Sequence, residues 1–182
     1  MHPPKALLLA CVLAVAGTAC HAGNLPPIKP VAHVDLPRFM GRWYVIACIP
    51  TRFEKHAYNA VETYTLQTDG TIDTRFHFRD GAFDKPLKTI RSTGFVTAGS
   101  SNAVWGVQVL WPLKAQYVVA WLNDDYSQTI VARDARDYTW IMARTPTIPQ
   151  ADYDALIARV QTLGYSMRDI RKVPQAWLES GN

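Results

Sequence analysis

Three residue types in this chain could carry covalent or metal chemistry, and their spacing favours neither. The thiols are Cys11, Cys20 and Cys48, and the first two fall inside an apolar amino-terminal stretch. With that stretch removed after Ala22, Cys48 stands alone, no internal disulfide can form, and packing must hold the fold in an oxidising compartment. His33, His56 and His77 lie too far apart to form a ligand pair, so neither a metal nor a haem is expected and no cofactor is implied. The carboxylates are scattered through turn-like segments with no pair set for proton transfer, and no catalytic residue is nominated. The chemistry left to such a chain is recognition.

Charge narrows what is recognised. The net charge is +4 and the pI is near 9.0, yet no run of five or more basic residues occurs, so no nucleic-acid footprint is expected. With 48% hydrophobic and 19% charged residues, the 182-residue chain can bury one core and offset the entropy of ordering it.

The amino terminus points to export. Lys5 precedes an apolar run over residues 6–16 and then small residues, the pattern of a secretion signal over residues 1–22 that is too short to cross a bilayer. Two processing patterns overlap there. Cys20 and Ala22 fit small-x-small cleavage after Ala22. Gly17-Thr18-Ala19-Cys20 resembles a lipobox, with Gly17 where Leu is usual, and lipidation of Cys20 would tether the domain to a membrane. The expected location is therefore the bacterial cell envelope, as an outer-membrane lipoprotein or a soluble periplasmic protein.

The elements that must position any binding residues follow. Residues 23–36 are proline-rich and read as an extended lead-in, with residues 37–175 as the folded domain and 176–182 as a tail. In residues 72–79, Ile72, Thr74, Phe76 and Phe78 alternate with Asp73, Arg75, His77 and Arg79, the period of a half-buried strand. Asp69-Gly70 is a hairpin turn that pairs this strand with residues 58–67. Further strands are expected at 43–49, 87–97, 104–110, 116–122, 128–133 and 138–144. Eight strands with short connections form an antiparallel meander, as either a sandwich or a closed barrel. A helix follows, with Thr147 as its cap, Pro149 in its first turn and Gly164 at its end, and Tyr153, Leu156, Ile157, Val160 and Leu163 form its packing stripe. Residues 170–173 could add an extended piece.

Three motifs then stand in order: Gly41-Arg42-Trp43-Tyr44, Asp124-Asp125-Tyr126 and Arg144-Thr145-Pro146. Together with FMGRWYVIA, RFEK, YTLQTDG and DYTWIMARTPTI they resemble the bacterial lipocalins, including the outer-membrane lipoproteins and their apolipoprotein D-like relatives. The resemblance runs from about residue 35 to 171. It implies an all-β, eight-stranded up-and-down barrel with the C-terminal helix packed outside. Gly41, Trp43, Asp125, Tyr126 and Arg144 are its structural residues, with Arg144 stacked on the Trp43 indole at the closed end.

Alternation carried through that resemblance lines the lumen with Val45, Ala47, Glu62, Tyr64, Leu66, Thr74, Phe76, Phe78, Tyr117, Val119, Trp121, Tyr138, Trp140 and Met142, unless a bulge flips a strand. Such a lining implies a lipid-like guest, a fatty acid or lysophospholipid, bound for storage or transport. Arg52, Phe53 and Lys55, in the mouth loop at residues 50–57, would meet its head group. Glu62 stands where related barrels tend to carry a small residue, and would turn the lumen from free fatty-acid heads toward an amine, a choline or a hydroxyl. Cys48 raises an alternative, an isomerase-type enzyme like one lipocalin branch, but alternation points it outward. A barrel filled by its own aromatics, serving as an envelope interaction protein, is the other alternative. The oligomeric state is left open.

Overall fold

The computed structural model describes residues 25–177; the export signal and the Cys20 lipobox lie outside the described residues. Nine strands, β1 (Gly41–Ile49), β2 (Ala57–Leu66), β3 (Ile72–Asp80), β4 (Leu87–Val96), β5 (Val104–Leu110), β6 (Leu113–Leu122), β7 (Gln128–Ala132), β8 (Thr139–Ala143) and β9 (Arg171–Lys172), join two helices, α1 (Leu36–Phe39) and α2 (Gln150–Thr162). Strands β1 to β8 each pair antiparallel with the next, and β1 pairs with both β8 and β2, which closes the barrel and decides against the sandwich. Closure removes nearly every free edge among the eight, leaving only part of the β1–β2 seam to be met from outside them.

The seam between β1 and β2 is only half zipped. Gly41 to Tyr44 pair with β2, but farther along β1 it is β9 that pairs with Ala47 and Cys48. The chain after β9 fills the gap: Val173 donates its N–H to the Ile46 carbonyl, and the Gln175 amide donates to the Val45 and Ala60 carbonyls. The extended piece expected at residues 170–173 is thus a barrel component.

Packing divides into two clusters. Inside the barrel are Phe39, Trp43, Val45, Tyr64, Phe76, Trp105, Tyr117, Val119 and Met142; outside, Ile46, Ala47, Val118, Ile130 and Ile141 meet Leu156 and Val160 of α2. The barrel has four register irregularities, and those on β1 and β6 bear most on the expected lining. The register slips between Val45 and Ala47 on β1, and between Val119 and Trp121 on β6. At each slip two consecutive residues face outward, and every position beyond has reversed parity.

Helix α2 starts differently from the sequence expectation. Its N-cap is Pro149 with no side-chain cap, while Thr147 merely accepts the Thr145 hydroxyl at its carbonyl. The end is as expected, with Gly164 at φ +91° donating to the Gln161 carbonyl. Helix α1 was not anticipated; Asp35 caps it by accepting the Arg38 N–H.

Candidate ligand-binding site

The closed end is built from the three sequence motifs. Gly41 adopts φ +91°, a conformation open to glycine, and delivers Trp43 into the barrel with no solvent exposure. The Trp43 indole N–H donates to the Phe39 carbonyl at 2.8 Å. Over its face lies the Arg144 guanidinium, 3.8 Å from the ring centroid. Arg144 also donates to the carbonyls of Arg38, Phe39, Arg42 and Tyr126, tying together α1, β1 and the β6–β7 turn. Burial draws its pKa down to about 10, so it stays charged at neutral pH. Asp125 accepts the Ser127 N–H within that turn, and the Tyr126 hydroxyl accepts the Asp35 N–H. These residues close the barrel end through contacts with one another, with α1 and with the β6–β7 turn.

Above Trp43 an aromatic layer closes the floor. Trp105 stacks on Tyr117 at 4.7 Å, and the Tyr64 and Tyr117 hydroxyls hydrogen-bond at 2.9 Å. Burial pushes both phenols up. From this layer to the mouth runs a cavity of about 320 Å³, walled by residues that include Tyr64, Phe76, Ile90, Val107, Tyr117, Tyr138, Trp140 and Met142.

Its lining also includes four side chains of charged type, Arg52, Glu54, Glu62 and Arg133. Glu54, from the mouth loop, is buried and satisfied, accepting the Thr51 N–H and the Trp140 indole N–H. Glu62 is not: its Oε2 lacks a hydrogen-bond partner, as do Thr74 Oγ1 and Arg133 Nε, and all three residues line the cavity. Burial, reinforced by the Glu54 charge, pushes the Glu62 carboxyl up to about 8, so it is chiefly protonated at neutral pH.

The barrel is sealed at one end by the Trp43–Arg144 stack and open at the other, and the lipocalin-like domain profile matches residues 34–175. The chain belongs to the lipocalin-like family. Among similar proteins, the outer membrane lipoprotein Blc of Citrobacter freundii is 29% identical over 95% of this chain and 96% of its own length. Temperature-induced lipocalin-1 of Arabidopsis thaliana is 27% identical, covering 82% and 83%. Insecticyanin from the tobacco hornworm Manduca sexta aligns in structure with a TM-score of 0.62 at 14% identity, covering 85% and 87%.

Within this lipocalin the expected lining residues fall into three sets. Glu62, Tyr64, Thr74, Phe76, Tyr117, Tyr138, Trp140 and Met142 border the cavity. Val45, Phe78 and Val119 are buried in the inner cluster without bordering it. The remaining three lie elsewhere: Ala47 and Trp121 are turned outward by the two bulges, Trp121 under Arg159 of α2, and Leu66 is exposed near the end of β2. The β1 bulge also reverses Cys48, which joins the inner cluster and does not face outward. It does not border the cavity, and burial pushes its thiol up to about 12. Of the mouth residues, Arg52 and Phe53 line the cavity, while Lys55 lines an adjoining depression with His56 and Asp80.

Sequence reasoning missed nine lining residues, among them Glu54, Ile90, Ser92, Val107, Gln116 and Arg133. A usable signal existed for Ser92: its register partner Thr74 was already assigned inward, and paired residues share a face.

Proposed function

We propose that this lipocalin binds one lipid-like amphiphile, a fatty acid or lysophospholipid, in its lumen and stores or carries it in the cell envelope. The observation that carries this reading is the open cavity of about 320 Å³ walled by aromatic and aliphatic side chains. At ~30 Å³ per non-hydrogen atom that volume takes about eleven chain atoms. Removing ~300 Å² of alkyl surface from water is worth roughly 7 kcal/mol before entropic losses, so head-group contacts must add to it to reach micromolar binding. Arg52 and Arg133 at the mouth suit an anionic or zwitterionic head group. The bacterial relatives are named outer membrane lipoproteins, which supports an envelope location. Binding without turnover is favoured because Cys48, the one thiol among the described residues, has neither a lowered pKa nor access to the cavity.

Native mass spectrometry of residues 23–182, expressed in the periplasm and purified without detergent, tests this. A lipid-mass adduct that disappears in Ser92→Trp, which fills the lumen, is expected. A clean apo mass that takes up neither laurate nor lysophospholipid would remove the proposed function and leave the fold intact.

A further inference from the structure

The barrel interior holds a polar row that an alkyl chain would leave unsatisfied. Tyr64 on β2 is in register with Thr74 on β3, and Thr74 with Ser92 on β4, so three hydroxyl side chains cross neighbouring strands at one level. Glu62 sits two residues from Tyr64 on the same face, in register with Phe76 on one side and Trp43 on the other. Diagonal neighbours on one face of a sheet are roughly 7–8 Å apart, a span that one bridging polar group can serve. Tyr64 is occupied by Tyr117, whereas Glu62 Oε2 and Thr74 Oγ1 are buried with no partner.

Resting on the lumenal binding proposed above, we infer that this floor is a hydrogen-bonding subsite for an uncharged hydroxyl at the inner end of the bound amphiphile. A protonated Glu62 offers its O–H, and a ligand hydroxyl accepts it while donating to Thr74 Oγ1. The state of Glu62 agrees, because burial holds its carboxyl at about 8. The groups facing it are Glu54 from the mouth loop, Tyr64 on its own strand and Tyr117 from β6, with Arg52 and Arg133 at the mouth end. An anionic head group at the floor would find no cation among the cavity-lining residues there, because the lining arginines, Arg52 and Arg133, stand toward the mouth. The anionic end of the ligand therefore belongs at the mouth, where Arg52 lines the cavity and Arg133, ion-paired through one guanidinium nitrogen with Asp137, has its Nε without a partner. The favoured ligand class is an ω-hydroxylated fatty acid, carboxylate outward and hydroxyl inward. Medium length is set by the cavity volume.

The probe pair is ω-hydroxylaurate and laurate, titrated against the purified chain. The wild type is expected to bind ω-hydroxylaurate about tenfold more tightly or better, the range set by leaving buried polar groups unpaired. Glu62→Gln, which can still donate and accept, should keep most of that preference. The Glu62→Leu/Thr74→Val double variant, its folding verified by circular dichroism, should abolish or reverse it. Equal affinities in the wild type, as a water held at the floor would give, overturn the subsite; so does a preference that survives in the double variant. Laurate binding without preference strikes the subsite alone, whereas failure of both probes strikes the lumenal binding as well.

Discussion

Replacing Glu62 with Gln should remove a pH-dependent weakness from the fold. In the folded chain the Glu62 carboxyl is held at about 8, against an ordinary value of 4.5. The folded state therefore keeps a proton that the unfolded chain releases across this interval. Stability contributed by the protonated form is fully present below about pH 4.5 and is lost as pH rises toward 8, at up to ~1.4 kcal/mol per pH unit. Between pH 5 and 7.5 that amounts to about 3 kcal/mol, or roughly 6–12 °C in Tm for a domain of this size. Gln has nearly the same shape and no charge to desolvate, so its stability should not follow this slope. Thermal and urea unfolding of both proteins, followed by circular dichroism at pH 5, 6, 7 and 8, reads the difference directly. The gap should widen by about 3 kcal/mol in favour of Glu62→Gln as pH rises. Parallel curves would mean that water reaches Glu62 freely, and the reasoning from its burial would be refuted.

Other expectations follow from the same geometry. Arg144→Met removes the stack on Trp43 and four carbonyl contacts, and should cost about 3 kcal/mol or more, read as a Tm drop of roughly 10 °C. Cys48 should resist alkylation in the folded protein at pH 8 and react only on unfolding, since its thiol is buried and pushed up to about 12; prompt labelling under native conditions would contradict the inverted β1 parity. Trp121→Ala should lower stability by loosening α2 from the barrel while leaving ligand affinity within a factor of about two, because Trp121 lies in the outer cluster.

The elements of the barrel were legible because the β-strand period is local. The alternation at residues 72–79 is realised as β3, and the Asp69-Gly70 turn joins it to β2. The closed end was legible through its motif residues, which carry unusual demands: a positive φ at Gly41, a large ring at Trp43 and a multi-donor cation at Arg144. The bulges were not legible. Nothing in Val45-Ile46-Ala47 or Val119-Ala120-Trp121 distinguishes a slipped register from a regular one, since all six residues are content on either face. Barrel closure, a global constraint, decides there. Thus Ala47 and Trp121 exchanged sides, and Cys48 moved inward. Glu54 illustrates a different limit: a charged residue in a polar loop reads as solvated until the loop folds over and Trp140 supplies a donor. The Glu62 side chain, by contrast, borders the cavity, on the face where alternation carried through the family resemblance put it.

The most direct test of a lipid-carrying lumen is a calorimetric titration of the delipidated domain with laurate and with lauroyl lysophosphatidylcholine at several temperatures. One site per chain is expected, with a negative heat-capacity change from buried alkyl surface and loss of binding in Ser92→Trp. No saturable binding of either lipid, or affinity unchanged when Ser92→Trp fills the cavity, would contradict it.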